Sequence, residues 1–155
     1  SIWVETIHAI RKLNPTTTME TLIPDFKGKE KHIQKIIEAK PEVVSHNLET
    51  VRSLTKRVRI QAKYDTSLNT LQTLFKGGIR TKSGIMLGLG EKESEVIEAM
   101  KDLRNVGVKI LTLGQYLQPS KKHLPVFEFI TPEQFSYLKE VGLSLGGTHF
   151  NASVI

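Results

Sequence analysis

Cysteine is missing from all 155 residues, and no other feature of the sequence is as restrictive. Without a thiolate these residues can form no disulfide, no cysteine nucleophile and no cysteine-held metal centre. That usage fits a cytosolic protein. No apolar stretch approaches the roughly 20 residues of a membrane span. The opening SIWVETIHAI lacks the basic head and apolar run of a signal peptide. Aromatics make up 6% of the chain, with one tryptophan. Few stand among basic side chains, which argues against a stacking platform for single-stranded nucleic acid. Internal repeats and low-complexity segments are absent. So are the dinucleotide fingerprint G-x-G-x-x-G and the phosphate loop with its lysine.

What remains is an ordinary soluble composition, 39% hydrophobic and 25% charged, in a chain long enough for one domain with a real core. The net charge of +6 favours anionic partners: nucleotides, acidic proteins or nucleic acid. The basic residues are dispersed, and the densest groups are Lys56, Arg57 and Arg59, and Lys121 with Lys122.

Trp3, Ile7 and Ile10 recur at helical spacing, and Asn14-Pro15 stops that helix. A strand over 17–23 ends at Pro24. A second helix buries Ile33, Ile36 and Ile37 and ends before Pro41, and a short strand follows at 42–46. Asp65, Thr66 and Ser67 offer N-caps to a helix carrying Leu68, Leu71, Leu74 and Phe75. Strand 82–88, helix 92–106 and strand 108–114 come next. Thr131-Pro132-Glu133-Gln134 reads as a capping box with proline at the first helical position. It opens a helix with Phe135, Leu138, Val141 and Leu145 inward, stopped at Gly146-Gly147, and THFNASVI supplies a final strand. The residues 47–64 show no clear structure.

Strands separated by helices pair in parallel with right-handed crossovers. Two α/β architectures fit: a doubly wound sheet, or an arc of a parallel (β/α) barrel. A complete barrel needs roughly 250 residues, so this length gives about half of one. In both folds ligands meet the C-terminal ends of strands. Those positions are Asp25, then His46, Asn47 and Glu49, then Gly88 to Glu91, then Gln115 and Tyr116. Asn47 and Glu49, two apart, project to one side of an extended segment. An amide beside a carboxylate suits ribose hydroxyls and an ammonium group, and it equally suits a plain turn. In GIMLGLGE, residues 84–91, glycines let a flat group approach the backbone, while Glu91 suits the cap of the next helix. None of the five histidines has a partner at metal-ligand spacing, so His8, His32, His46, His123 and His149 read as surface or core residues.

Five segments then carry a resemblance. IPDFKG, HNLETV, TKSGIMLGLGE, LTLGQYLQPSKKHLPV and ITPEQF, in this order and spacing, resemble the lipoyl synthases, a branch of the radical S-adenosylmethionine enzymes. The resemblance covers residues 3 to about 146. It implies a partial parallel (β/α) barrel of the radical enzyme type, with this chain as a single domain holding about strands three to six. It implies S-adenosylmethionine and two iron–sulfur clusters as cofactors. One cluster cleaves S-adenosylmethionine to a radical that takes hydrogen from an octanoyl chain, and the other is consumed as sulfur donor. The octanoyl group rides on a lysine of an acidic lipoyl carrier domain.

The same resemblance implies roles for residues. Asn47 and Glu49 match a segment in contact with S-adenosylmethionine. Gly84, Met86, Gly88 and Glu91 are similar to a G-x-I-x-G-x-x-E pattern, with methionine for isoleucine, whose apolar side chain packs on adenine. Tyr116 and Leu117 match a segment whose backbone meets the adenine edge. Lys56, Arg57, Arg59, Lys121 and Lys122 are expected to face the rim and dock the carrier. Nucleic acid and membrane are not expected partners. A cytoplasmic location is implied in bacteria, and a mitochondrial or plastid one in eukaryotes. The cysteine motifs and the late arginine-serine-serine segment that ligate the clusters have no counterpart here, and GGTHFNASVI departs from the family pattern. The chain therefore reads as an internal piece with no metal ligand and no catalytic residue of its own. The alternative is a non-catalytic α/β module that binds a nucleotide or a carrier protein.

Overall fold

A computed structural model describes residues 1–146 and the backbone of 151–154. Five strands form one sheet in sequential order, every neighbour parallel: β1 Glu20–Leu22, β2 Val43–Ser45, β3 Arg80–Leu87, β4 Ile110–Gln115 and β5 Asn151–Val154. The helices α1 Ile2–Leu13, α2 Glu30–Ala39, α4 Tyr64–Lys76, α5 Glu93–Asn105 and α6 Pro132–Gly146 alternate with them, and the single turn α3 Thr55–Val58 precedes α4. A strand order that never reverses, joined by right-handed crossovers, puts the long helices on one face of the sheet. The doubly wound alternative needs a reversal, and none occurs among the described strands.

Alternation along the strands divides the two faces. Ile85, Leu87, Leu111 and Leu113 point to the helices and join Leu71, Met100, Leu103 and Phe135 in the main core. A second cluster buries Ile23, Ile33, Ile36, Val44 and Leu74 under α2 and α4. The residues between them, Lys82, Gly84 and Met86 on β3 and Thr112 on β4, point to the opposite face. Helix starts follow their sequence signals where the partner is local. Thr131 and Gln134 exchange their capping bonds, Thr131 N–H donating to Gln134 Oε1 (2.9 Å) and Gln134 N–H to Thr131 Oγ1 (3.2 Å).

Several boundaries differ from the sequence reading. β1 is shorter than 17–23, because Asn14 and Thr17 close a turn first. Its ladder still extends one residue at each side, through Met19 O and Ile23 N. α4 begins at Tyr64 rather than after a cap at 65–67. Asp65 is drawn to Arg52, whose Nη1 donates to both carboxylate oxygens at 2.8 and 2.9 Å, and Ser67 turns into the interior. Phe75 is 43% exposed rather than inward, lying over Gly107 with the Lys109 ammonium 5.6 Å from its ring centre. The stretch 47–64 is structured. Glu49 bridges to Ile85, a 3₁₀ turn spans Arg52–Leu54, and α3 follows. Gly147, the final strand's first residues and His149 lie outside the described residues.

Candidate functional site

β2 ends at Ser45, but its chain does not leave the sheet. Glu49 N–H donates to Gly84 O (3.0 Å) and Met86 N–H donates to Glu49 O (2.8 Å), so residues 47–49 continue beside the C-terminal half of β3. Glu49 takes φ +69 there, an uncommon backbone for a residue with a side chain. Asn47 lies directly against Gly84. A Cβ added at Gly84 would stand 3.0 Å from Asn47 Oδ1 and 3.1 Å from Thr112 Oγ1. A side chain at Gly84 would therefore press on the ends of Asn47 and Thr112, which would have to give by a few tenths of an ångström.

Burial raises the Glu49 carboxyl above the ordinary carboxylate range, opposed by the Arg59 charge and by Asn47. Below this pair on the same face, Lys82 Nζ binds Glu20 (2.9 and 3.1 Å), and Ser45 Oγ donates to the same carboxylate (2.5 Å). Hydrogen bonding from Ser45, then Lys82, lowers the Glu20 carboxyl despite its partial burial. Polar groups thus stand on this face from β1 to β4, beside the apolar Leu22 and Met86.

Beyond Met86 the surface opens into a cleft of about 440 Å³. Met86, Leu89, Tyr116, Leu117 and Leu124 give it apolar walls, while Arg57 and Lys122 stand at its margin. Tyr116 is buried and donates through its hydroxyl to Leu124 O (2.8 Å), whereas Leu117 is 65% exposed.

Gly88 and Glu91 have different surroundings. Glu91 accepts from the Gly88 and Leu89 amides at 2.6 and 2.9 Å, closing the turn after β3. The cap of α5 is instead Lys92 N–H donating to Glu95 Oε2 (2.8 Å). Gly88, at φ +98, lies under the segment that returns from β4 to α6: a Cβ there would overlap Glu128 O and Gln115 Nε2. Its carbonyl accepts from the Phe127 and Glu128 amides at 2.8 and 3.3 Å.

Of the basic residues singled out, Lys56, Arg57, Lys121 and Lys122 are exposed, and Arg59 is drawn inward. Its Nη1 donates to Ser67 Oγ (2.8 Å) and Leu48 O (3.3 Å). His46 is buried, its ring bridging Ile23 O (2.9 Å) and Ser67 Oγ (2.8 Å). The sequence reading passed over Thr112, which no local signal marks. It took Ser67 only as an N-cap candidate and Gln115 only as a polar residue at a strand end.

The chain is similar to known proteins in both sequence and shape. It is 63% identical to "Lipoyl synthase" of Christiangramia forsetii, matching 99% of this chain and 53% of that protein. It is 60% identical to "Lipoyl synthase, mitochondrial" of Nematostella vectensis over the same shares. The chain spans about half the length of the curated relatives it matches. Among solved structures, methylornithine synthase superposes with a TM-score of 0.72 at 13% identity, covering 99% of this chain and 51% of that one. A domain of pyruvate-formate lyase-activating enzyme from Bacteroides vulgatus gives 0.72 at 9% identity, covering 98% and 88%. At such low identities the likeness speaks for the α/β fold, a parallel arc of the barrel type. The Radical SAM superfamily model matches residues 2–103, about two thirds of the chain, and the chain belongs to that superfamily.

Proposed function

We propose that this chain is the nucleotide-holding arc of an enzyme acting like its relatives named lipoyl synthase, which would insert two sulfur atoms into an octanoyl group carried on a protein lysine. The observation that carries the reading is the packing of Asn47 on Gly84, with Glu49 and Met86 one step further along, in a chain 63% identical to such a relative. In this reading Asn47 and Glu49 take the ribose hydroxyls and the ammonium group of S-adenosylmethionine. Met86 lies flat against the adenine, and the Tyr116–Leu117 backbone meets its edge. The cofactor would supply a radical for hydrogen abstraction, and these residues bind and orient it. Lys56, Arg57, Lys121 and Lys122 face an acidic carrier domain. A cytoplasmic or organellar location goes with this reading, and no helix among the described residues is long and apolar enough to cross a membrane.

The residues present do not fit an iron–sulfur cluster. Such clusters are held mainly by thiolates, and the chain has none. Among the described residues no three histidine, aspartate or glutamate side chains gather closely enough to hold a metal ion. No step is therefore assigned to a cluster here. For this polypeptide taken alone, the missing thiolates favour binding without turnover.

Equilibrium binding of S-adenosylmethionine tests the assignment. The chain should bind it weakly, and Glu49→Gln with Asn47→Ala should abolish what affinity there is. Equal affinity in parent and double variant would refute the site. After anaerobic reconstitution with iron and sulfide, the chain should keep no stoichiometric iron on desalting. Retained iron, or lipoyl product from an octanoylated carrier, would refute the reading of the chain alone as inactive.

A further inference from the structure

Arg59 follows the single turn of α3 with an extended backbone (φ −121, ψ 96). Its side chain turns inward to Ser67 Oγ (2.8 Å) and Leu48 O (3.3 Å). Successive side chains of an extended segment project to opposite sides, so Ile60 projects outward. At 93% it is the most exposed large apolar side chain among the described residues. A lone exposed isoleucine is ordinary on a protein surface, and what distinguishes Ile60 is its setting. It forms a ridge with a hollow on each side. One is the cleft beside Met86, where Val58 and the 65% exposed Leu117 extend the apolar wall. The other, of about 400 Å³, lies between α3 and the start of α4 and is bounded by Lys56, Gln61, Lys63 and Tyr64.

The free charges beside this ridge have one sign. Arg57 and Lys122 line the cleft, and Lys56 and Lys63 line the second hollow. Among the described residues no carboxylate lines the cleft. Asp65 is the one carboxylate at the second hollow, and Arg52 holds it at 2.8 Å. None of the four cations has a carboxylate within 4.0 Å among the described residues. An apolar ridge flanked by unpaired cations is complementary to an acidic surface with an apolar centre. A bilayer is flat on this scale and cannot fill recesses on both flanks of a ridge, whereas the side chains of a folded protein can.

We propose that Ile60 is the apolar anchor of a docking site for an acidic protein, seated between Arg57 with Lys122 on one flank and Lys56 with Lys63 on the other. This rests on the reading of the rim as carrier-facing, which makes the partner the acidic carrier domain. The two kinds of residue then do different work. The exposed cations speed encounter and make it salt-dependent, and the ridge, desolvated on docking, holds the complex together.

The test is the binding of an octanoylated acidic carrier domain to the chain, followed by surface plasmon resonance at low and high salt without S-adenosylmethionine, so that the outcome is independent of the nucleotide site. Ile60→Ser should weaken binding about tenfold, mainly through faster dissociation, and the loss should persist at high salt. Ile60→Leu should keep the parent's affinity. Lys56→Glu with Lys63→Glu should slow association at low salt and change little at high salt. Ile60 lies outside the core, and thermal unfolding confirms that its variants fold as the parent does. An affinity unchanged by Ile60→Ser, with the carrier still bound, overturns the proposal and leaves the carrier reading standing. A parent chain that binds no carrier overturns both. Ile60-dependent binding to phosphatidylglycerol vesicles in place of the carrier would give the ridge to a membrane surface and overturn the proposal as well.

Discussion

Gly88→Ala should be among the more damaging single-methyl additions in this protein. At φ +98 an alanine pays backbone strain of about 1–2 kcal/mol. The new Cβ would also overlap Glu128 O and Gln115 Nε2, and neither can simply step aside. Gln115 Nε2 donates to Glu128 O (3.1 Å) and Tyr116 O (2.9 Å), while its Oε1 accepts from Ile130 N–H (2.9 Å). Moving either group loosens two or more bonds, each with a net contribution of about 0.5–1.5 kcal/mol. The expected total is about 3 kcal/mol. Gly78 separates the two causes: it has φ +84, but an added Cβ there meets nothing within 4 Å. Gly78→Ala should therefore show the strain alone. Urea unfolding of both variants with unchanged m-values gives the difference, and amide exchange at Phe127, Glu128 and Ile130 should accelerate only in Gly88→Ala. Equal losses in the two variants, with those amides still protected, would refute the role given to Gly88.

Thr50 Oγ1 is buried without a partner among the described residues, so Thr50→Val should leave stability unchanged or raise it by up to about 1 kcal/mol; a clear loss in urea unfolding would count against this. Tyr64 donates to Asp102 Oδ2 (2.8 Å), and Tyr64→Phe should cost about 1 kcal/mol near neutral pH. Burial, then Asp102, raises the Tyr64 pKa above its unfolded value, so its contribution is complete below the unfolded pKa of about 10 and is lost as pH rises beyond it. The parent's advantage over Tyr64→Phe should accordingly shrink in melts above that pH; a constant gap would disprove it. Lys121→Glu with Lys122→Glu should weaken binding of an octanoylated acidic carrier several-fold at low salt and little at high salt, and an affinity unchanged at low salt would remove this pair from the interface.

The sheet was legible in the sequence because its signals are local. Alternating apolar runs bounded by Pro24, Pro41 and Gly77-Gly78 placed the strands within a few residues, and the Thr131–Gln134 box placed a helix start correctly. Residues 47–64 were opaque because what folds them is distant. Arg52 stacks over Tyr64 at 4.2 Å and pairs with Asp65, and Ser53 Oγ donates to Glu95 across 42 residues. Arg59 shows the same limit. Its neighbours Lys56 and Arg57 suggested a surface cluster, while its partners Ser67 and Leu48 are reached only through the fold. Composition can count cations, but it cannot say which of them turns inward.

The glycine run at 84–91 shows why a motif's residue types and their neighbours have to be taken together. Gly84 makes room on the polar face, but Asn47 and Thr112 already stand against it. Gly88 makes room for the returning segment, which covers it. Neither leaves open space for a flat ring directly over its own Cα. The free volume lies between and above them, beside Met86, where β3 and β4 end and the about 440 Å³ cleft begins. A side chain at Gly84 would push Asn47, and one at Gly88 would push the wall that carries Tyr116. Glycine at both positions therefore shapes the cleft indirectly, through the two elements it allows to close in, and Met86 and Leu89 are the members of the run left facing whatever enters.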